Sequence, residues 1–345
     1  MIKRLNPAHV RKIGAQFAKK KILVFGDVGV DKYTVGRVSR ISPEAPIPVV
    51  EVVRTVLKLG LAANVADNIK ALGGRVSMVG LVGKDRGAQD FAALLKERGI
   101  KSRYLVADAS RRTTLKERVV AESQQVVRID YETPAKPDPS ILKEAWGKLQ
   151  KAVEEADAVI IEDYAKGLVE VSLCRQLVSA AEERKIPVFV DPNARGSIQP
   201  YYGCTVLTPN TAEAEALSGI RIVDQETLFQ AGYRLLEEAH AKFVIVTRGR
   251  DGMAIFGRGE AEPILIPTFA RDVFDVSGAG DTTIATLALA MTAGADIVEA
   301  AWLANYAAGV VVGKPGTATT NVQEITDYIE MIENLQARRK KSRVA

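Results

Sequence analysis

Short runs that are apolar at almost every position alternate, along most of the chain, with segments whose apolar residues recur every three or four positions. Residues 21–28 (KILVFGDV), 75–81 (RVSMVGL), 158–162 (AVIIE), 187–191 (PVFVD) and 242–247 (KFVIVT) predict strands buried on both faces. Between them, residues 62–72, 87–98, 140–155 and 170–184 predict helices with one apolar stripe. Such alternation joins parallel strands through crossover helices. The expected fold is therefore α/β with three layers, a mainly parallel central sheet flanked by helices.

Two stretches, about 33–56 and 102–131, break the alternation with strand-like pieces (IPVVEVV, TTLKERVV, QQVVRID) and no helix between them. Polar and apolar residues stand side by side there, as in a sheet with one wet face. They predict a small accessory β-sheet, a lid over a site at the strand ends, where open α/β sheets bind ligands. The expected organisation is a helical extension over 1–20, one main domain over 21–332 carrying the lid, and a basic tail over 333–345.

The chain has 345 residues, 47% hydrophobic and 26% charged, enough for a sizeable core and unlike a disordered chain. Its longest uncharged runs, 282–295 and 300–313, fall short of the roughly 18 to 20 apolar residues of a bilayer span, so no membrane partner is expected. Lys3, Arg4, Arg11, Lys12, Lys19 and Lys20 interrupt any secretory apolar core, and cytoplasmic residence is the expectation. Cys174 and Cys204 belong to no metal-binding cluster and are expected to be buried. Much of the +5 net charge sits in Arg338, Arg339, Lys340, Lys341 and Arg343. With no zinc finger and no aromatic-rich RNA-binding strand, no nucleic-acid partner is expected, and a small acidic ligand fits better.

The sharpest chemical signal is Asp275-Val276-Ser277-Gly278-Ala279-Gly280-Asp281-Thr282-Thr283, followed by an apolar helix. Backbone amides of Gly278, Ala279 and Gly280 at a helix start can approach an anion closely, and the helix dipole favours negative charge there. Asp281 has two readings. It is a general base that takes a proton from an attacking hydroxyl while the amides hold a phosphoryl group, or an acidic residue that merely complements the dipole. A P-loop is excluded, because the Gly-Lys pairs at Lys84 and Lys314 lack the four-residue gap and are followed by Asp85 and Pro315.

Other polar residues gather at strand ends. These are Asp27, then Asp163 and Lys166, then Asp191, Asn193 and Arg195. Asn210 and Glu213 stand about one helical turn apart, able to organise magnesium and its waters or simply to cap a helix. Thr247, Gly249 and Gly252 form a tight turn that is either a plain hairpin or a loop against a nucleotide. With only His9 and His240 in the chain, a histidine-based triad or metal site is excluded.

Over about residues 20–320 this constellation resembles the ribokinase-like (PfkB) carbohydrate kinases. The resemblance rests on Gly26-Asp27, residues 60–66 (GLAANVA), Asn210-x-x-Glu213, Thr247-x-Gly249-x-x-Gly252 and the stretch from Asp275 to Asp281. It implies that Asp281 is the catalytic base, that Asp27 and Asn64 hold sugar hydroxyls, and that Asn305 lies near the nucleotide. ATP and Mg2+ are the implied cofactors, with Glu213 reaching magnesium through water. K+ at Asp275 is a family-level addition. Residues 39–50 (SRISPEAPIPVV), 162–167 (EDYAKG) and 124–128 (QQVVR) are similar to the kinase half of the bifunctional heptose 7-phosphate kinase/heptose 1-phosphate adenylyltransferases.

The narrower resemblance implies phosphorylation of D-glycero-D-manno-heptose 7-phosphate at its anomeric hydroxyl, a step toward ADP-heptose and the lipopolysaccharide core. Arg37, Arg40, Lys116, Arg118, Arg128, Lys166 and Arg195 are candidates for the sugar's own phosphate, and Asp163 and Asn193 join the substrate set. The His-x-Gly-His signature of the adenylyltransferase is not in the sequence, so a separate protein is expected for that step. A homodimer through the lid edges is expected. The chain departs from the family at Leu61, where a second glycine is usual. Two other readings remain at this point: a kinase of the same family acting on a ketose, nucleoside or other sugar phosphate, and a ligand-sensing module without catalysis.

Overall fold

The structure is a computed structural model that describes residues 5–122, 124–260, 262–269 and 274–344, with side chains described only to residue 337. Lys3, Arg4 and the side chains of the five basic residues from Arg338 to Arg343 lie outside the described residues. The strands are β1 (Lys21–Gly26), β2 (Val28–Ile41), β3 (Pro48–Leu61), β4 (Arg75–Val79), β5 (Leu81–Val82), β6 (Val106–Ala107), β7 (Thr114–Ala121), β8 (Gln124–Tyr131), β9 (Ala158–Glu162), β10 (Val188–Asp191), β11 (Val206–Leu207), β12 (Phe243–Thr247), β13 (Met253–Gly257) and β14 (Ile264–Ile266). The α-helices are α1 (Pro7–Gly14), α2 (Ala62–Ala71), α3 (Arg86–Glu97), α4 (Pro139–Val153), α5 (Val171–Glu183), α6 (Thr211–Ser218), α7 (Gln225–Glu238), α8 (Ala279–Thr292), α9 (Ile297–Val311) and α10 (Val322–Val344).

The apolar runs form a central sheet in the order β14-β13-β12-β11-β10-β9-β1-β4, parallel from β12 to β4 and antiparallel at β13 and β14. Alternate residues of each strand enter different cores. Ile22 and Val24 of β1 pack on the side of α2, α8 and α9, while Leu23 and Phe25 pack with residues of α4, α5 and α7. This explains why the strands read as continuously apolar. Helix α8 is buried at every residue from Asp281 to Ala290, so it packs as a core helix rather than a surface one.

Strand β1 has β4 on one side and β9 on the other, which makes the β1/β9 boundary a switch point in the order of the sheet. Ligand clefts open at such points, beyond the carboxyl ends of the strands. Asp27 leaves β1 there and Glu162 ends β9 there, in register with Gly26.

The accessory sheet is four-stranded, ordered β3-β2-β7-β8. Its limits differ from the sequence expectation. The first hairpin spans Val28 to Leu61, because β2 continues from β1 past Asp27. The second begins only at Thr114, since Val106–Ala107 pairs with Leu81–Val82 in a separate strip. Both chain ends also differ. Leu5, Val10, Ile13 and Phe17 are buried in the main core, and α1 packs on α10, so residues 5–20 are part of the body. Helix α10 runs to Val344 through the expected tail, anchored by Ile325, Ile329 and Ile332 and extended by good helix formers.

Candidate active site

Asp281 is the third residue of α8, in the first turn, where the helix cannot satisfy its own amides. Gly278 precedes the helix with φ 81°, and a β-carbon on it would lie 2.8 Å from Asn64 Nδ2. Only glycine therefore lets Asn64 approach, and its side-chain amide donates to Asp281 Oδ2 at 2.5 Å. From the β9–α5 loop the Tyr164 hydroxyl donates to Oδ1 at 2.7 Å. Burial pushes the Asp281 carboxyl above the usual range, and the bonds from Tyr164 and Asn64 pull it back. The result is an oriented carboxylate at the mouth of a helix, a geometry suited to proton abstraction. Of the three amides read as an anion cradle, that of Ala279 already bonds the Val276 carbonyl at 3.2 Å.

Beside Asp281 stand Glu162 at the end of β9 and Asp191 at the end of β10, and ligand oxygens of the three lie within 4.8 Å of one another. Glu162 is fully buried, and neither of its oxygens has a hydrogen-bond partner. Burial and mutual repulsion push Glu162 and Asp191 well above the usual carboxyl range. Such a cluster needs protons or a cation to be neutral, and an orphaned pair of carboxylate oxygens fits a hard divalent ion.

A cavity of about 180 Å³ opens against the same helix start, lined by Thr247, Gly249, Gly252, Ala279, Gly280, Thr283 and Asn305 among others. Residues singled out in three distant segments thus converge on one pocket. Gly252 adopts φ 83°, and a β-carbon there would sit 1.9 Å from the Ile266 carbonyl oxygen, so the turn into β13 admits no side chain. Asn305 of α9 donates to the Pro267 carbonyl at 2.8 Å and walls the cavity.

The remaining sequence candidates divide. Asp27 is buried and accepts from the amides of Lys166 (2.9 Å) and Tyr164 (3.2 Å), so it clamps the loop that carries Tyr164. Burial raises its carboxyl to about 6 despite those bonds. Asn210 and Glu213 form a reciprocal capping box on α6, with Glu213 also contributing to the charge felt by Glu162 and Asp191. Asp275 accepts from the amides of Ser277 and Gly316, tying the start of the motif to the loop after α9.

Asp163 and Asn193 meet at the Tyr201 hydroxyl, and with Arg195 they line a separate cavity of about 380 Å³ rather than the Asp281 cleft. Arg118 is ion-paired to Asp31 at 2.7 Å, Lys166 to Glu132 at 2.8 Å, and Arg128 to Asp130 at 2.9 Å on the exposed β8. Arg37 and Arg40 are exposed in the distal half of β2, about 30 Å or more along the strand from its first residue. Irregularities in the hairpin's register fall beside them, at Val35/Gly36 and Val38/Arg40. Sequence reasoning counted Asp191 among the strand-end polar residues without a role, and gave none to Glu162 or Tyr164. These two stood in a segment already flagged, residues 162–167, but nothing local marks which of its side chains turns inward.

A model of the pfkB family of carbohydrate kinases matches residues 19–324. The chain is 43% identical over 317 residues to the bifunctional protein HldE of Geobacter sulfurreducens, covering 92% of this chain and 64% of that one. It is 40% identical over 316 residues to the bifunctional protein HldE of Helicobacter hepaticus, covering 92% and 65%. The chain therefore spans just under two thirds of the length of these curated relatives. Among solved structures it is similar to Arabidopsis thaliana ribokinase complexed with ribose and ATP (TM-score 0.70, 21% identity, 90% of this chain and 98% of that one). It is also similar to phosphofructokinase-2 from Escherichia coli in complex with potassium (TM-score 0.72, 19% identity, 91% and 99%). At such identities the likeness is one of fold.

Proposed function

Because the chain belongs to the pfkB family of carbohydrate kinases, we propose that it transfers the γ-phosphoryl group of ATP to the anomeric hydroxyl of D-glycero-D-manno-heptose 7-phosphate, giving the 1,7-bisphosphate. The observation that carries this reading is Asp281, held by Asn64 and Tyr164 at the helix start that also lines the Thr247–Asn305 cavity. In the proposed step Asp281 takes the proton of the anomeric hydroxyl. The freed oxygen pair bonds to the γ-phosphorus as the bond to the ADP oxygen breaks. The amide of Gly280 faces the charge that develops on the phosphoryl oxygens.

ATP is assigned to the cavity at Thr247, Gly249, Gly252 and Asn305. Magnesium is assigned to Glu162 and Asp191, with Glu213 through water, where it would neutralise nucleotide phosphates. Asp275 as a monovalent-cation ligand rests on family resemblance, alongside the solved potassium complex of phosphofructokinase-2. Asn64 and Asp27 are assigned to sugar hydroxyls, and the four-stranded sheet to a lid that excludes water.

Lid pairing between two copies is supported by exposed apolar residues on both outer strands, Val52 and Val53 on β3 and Val127 and Ile129 on β8. Adenylyl transfer, the following step, is assigned to residues outside this sequence, whether fused or separate. No helix among the described residues is long and apolar enough to cross a membrane, and a cytoplasmic enzyme with ready ATP is the reading adopted.

A coupled ADP-release assay over sugars and sugar phosphates tests the substrate. Heptose 7-phosphate is expected to give the highest kcat/KM. A better ketose, nucleoside or other sugar phosphate would replace the substrate while keeping the chemistry. ATP binding without ADP release on any acceptor would replace the kinase with a sensing module.

A further inference from the structure

The geometry points to Lys116 as the residue that grips the phosphate already present on the acceptor sugar, an inference that rests on the sugar-phosphate kinase reading above. Side chains alternate across β7, so Lys116 and Arg118 share a face of the lid, opposite the face of Glu117. Arg118 is committed to Asp31 and stacks over Tyr33, whose hydroxyl accepts from the Thr317 amide in the loop after α9. This face of the lid is therefore turned toward the loop after α9, while Leu115, on the face of Glu117, packs against the main core.

Lys116 lies on it with its ammonium 6.0 Å from the centre of the Tyr164 ring, while the hydroxyl of that ring donates to Asp281. A phenol ring and a sugar ring are of similar size. An acceptor lying along Tyr164 with its anomeric hydroxyl at Asp281 brings its far end to Lys116.

Three neighbouring cations are already engaged. Lys166 is held by Glu132 and Arg118 by Asp31, and Arg111 is divided among Asp108 and the carbonyls of Lys166 and Ala135. Lys116 is half-buried, and among the described residues no oxygen accepts a hydrogen bond from its ammonium. Asp130, Asp31 and Glu132 act on it only through space, and burial together with Lys166 lowers its pKa. A half-buried ammonium without a direct partner is unfavourable unless a ligand supplies the anion. A sugar phosphate does so, and an unphosphorylated sugar does not.

The test uses the full chain and two acceptors, a sugar 7-phosphate and the same sugar without its phosphate. Lys116→Met is expected to cut the ratio of kcat/KM between them by about 10- to 100-fold, the size of one lost charge-assisted hydrogen bond, mainly through KM of the phosphorylated acceptor. Lys116→Arg is expected to restore part of the ratio, which separates the effect from misfolding, and thermal denaturation of both variants checks the fold. An unchanged ratio in Lys116→Met, or an equal loss of kcat with both acceptors, overturns the inference, the latter placing Lys116 on the transferring group. If the unmodified enzyme shows no preference for the phosphorylated sugar, the sugar-phosphate reading itself has failed.

Discussion

The Tyr164 hydroxyl and Asp281 Oδ1 lie 2.7 Å apart, across a junction between the loop after β9 and the first turn of α8. That bond opposes the burial that pushes the carboxyl above its usual range. Tyr164→Phe removes it with little change of shape. Asp281 should then titrate at higher pH, and the acid limb of the kcat/KM profile should move upward. Below that limb the variant should lose about 10- to 100-fold, the range for a bond to a charged group. A pH–rate series on both proteins checks this, and superimposable acid limbs contradict it.

Asp27 offers a test on stability. Its carboxyl is raised from 3.8 to about 6, first by burial and then by Asp163, against bonds from three backbone amides. A raised folded pKa means that the protonated form is favoured in the native state. The contribution is complete below the unfolded value near 4 and is lost as pH rises through about 6. About two units correspond to about 3 kcal/mol. Urea unfolding between pH 4 and 7 should show the native protein losing stability relative to Asp27→Asn, whose side chain cannot ionise. Parallel curves for the two would show that Asp27 ionises without cost.

Leu61 sits at φ 56° and ψ −139° at the base of the lid, a conformation suited to glycine, yet it is only 7% exposed. Strain of about 1–3 kcal/mol opposes a burial gain of about 1.5–3 kcal/mol. Leu61→Gly should therefore be near neutral. Leu61→Ala loses the buried surface and keeps the strain, so it should be the less stable variant by about 1 kcal/mol or more. This inverts the usual order of alanine and glycine. Thermal melts of the pair decide it, and an alanine variant more stable than the glycine one contradicts the strain.

What was legible in the sequence was local. The apolar runs predicted buried strands because each strand supplies both cores, and Gly278-Ala279-Gly280-Asp281 announced a glycine-rich helix start through its own residue types. The break at Asp27 and the true start of β7 at Thr114 depend on which strands pair, which no local pattern fixes. The cluster of Glu162, Asp191 and Asp281 needs three strand and helix ends to meet, and Tyr164 bonds Asp281 from a loop whose amides are held by Asp27. Arg37 and Arg40 had the right charge and stand exposed in the distal half of β2. Asn210 and Glu213 cap α6, and the Glu213 carboxylate adds to the charge felt by Glu162 and Asp191.

The most direct measurement is the single-turnover rate of phosphoryl transfer by Asp281→Asn with heptose 7-phosphate, beside calorimetric titration of the same variant with ATP. The expected result is a rate about 10²- to 10⁴-fold lower, the range for removal of a general base, with nucleotide binding retained. Turnover close to that of the unmodified enzyme would contradict the assignment of Asp281 as the base and, with it, the proposed chemistry of the site.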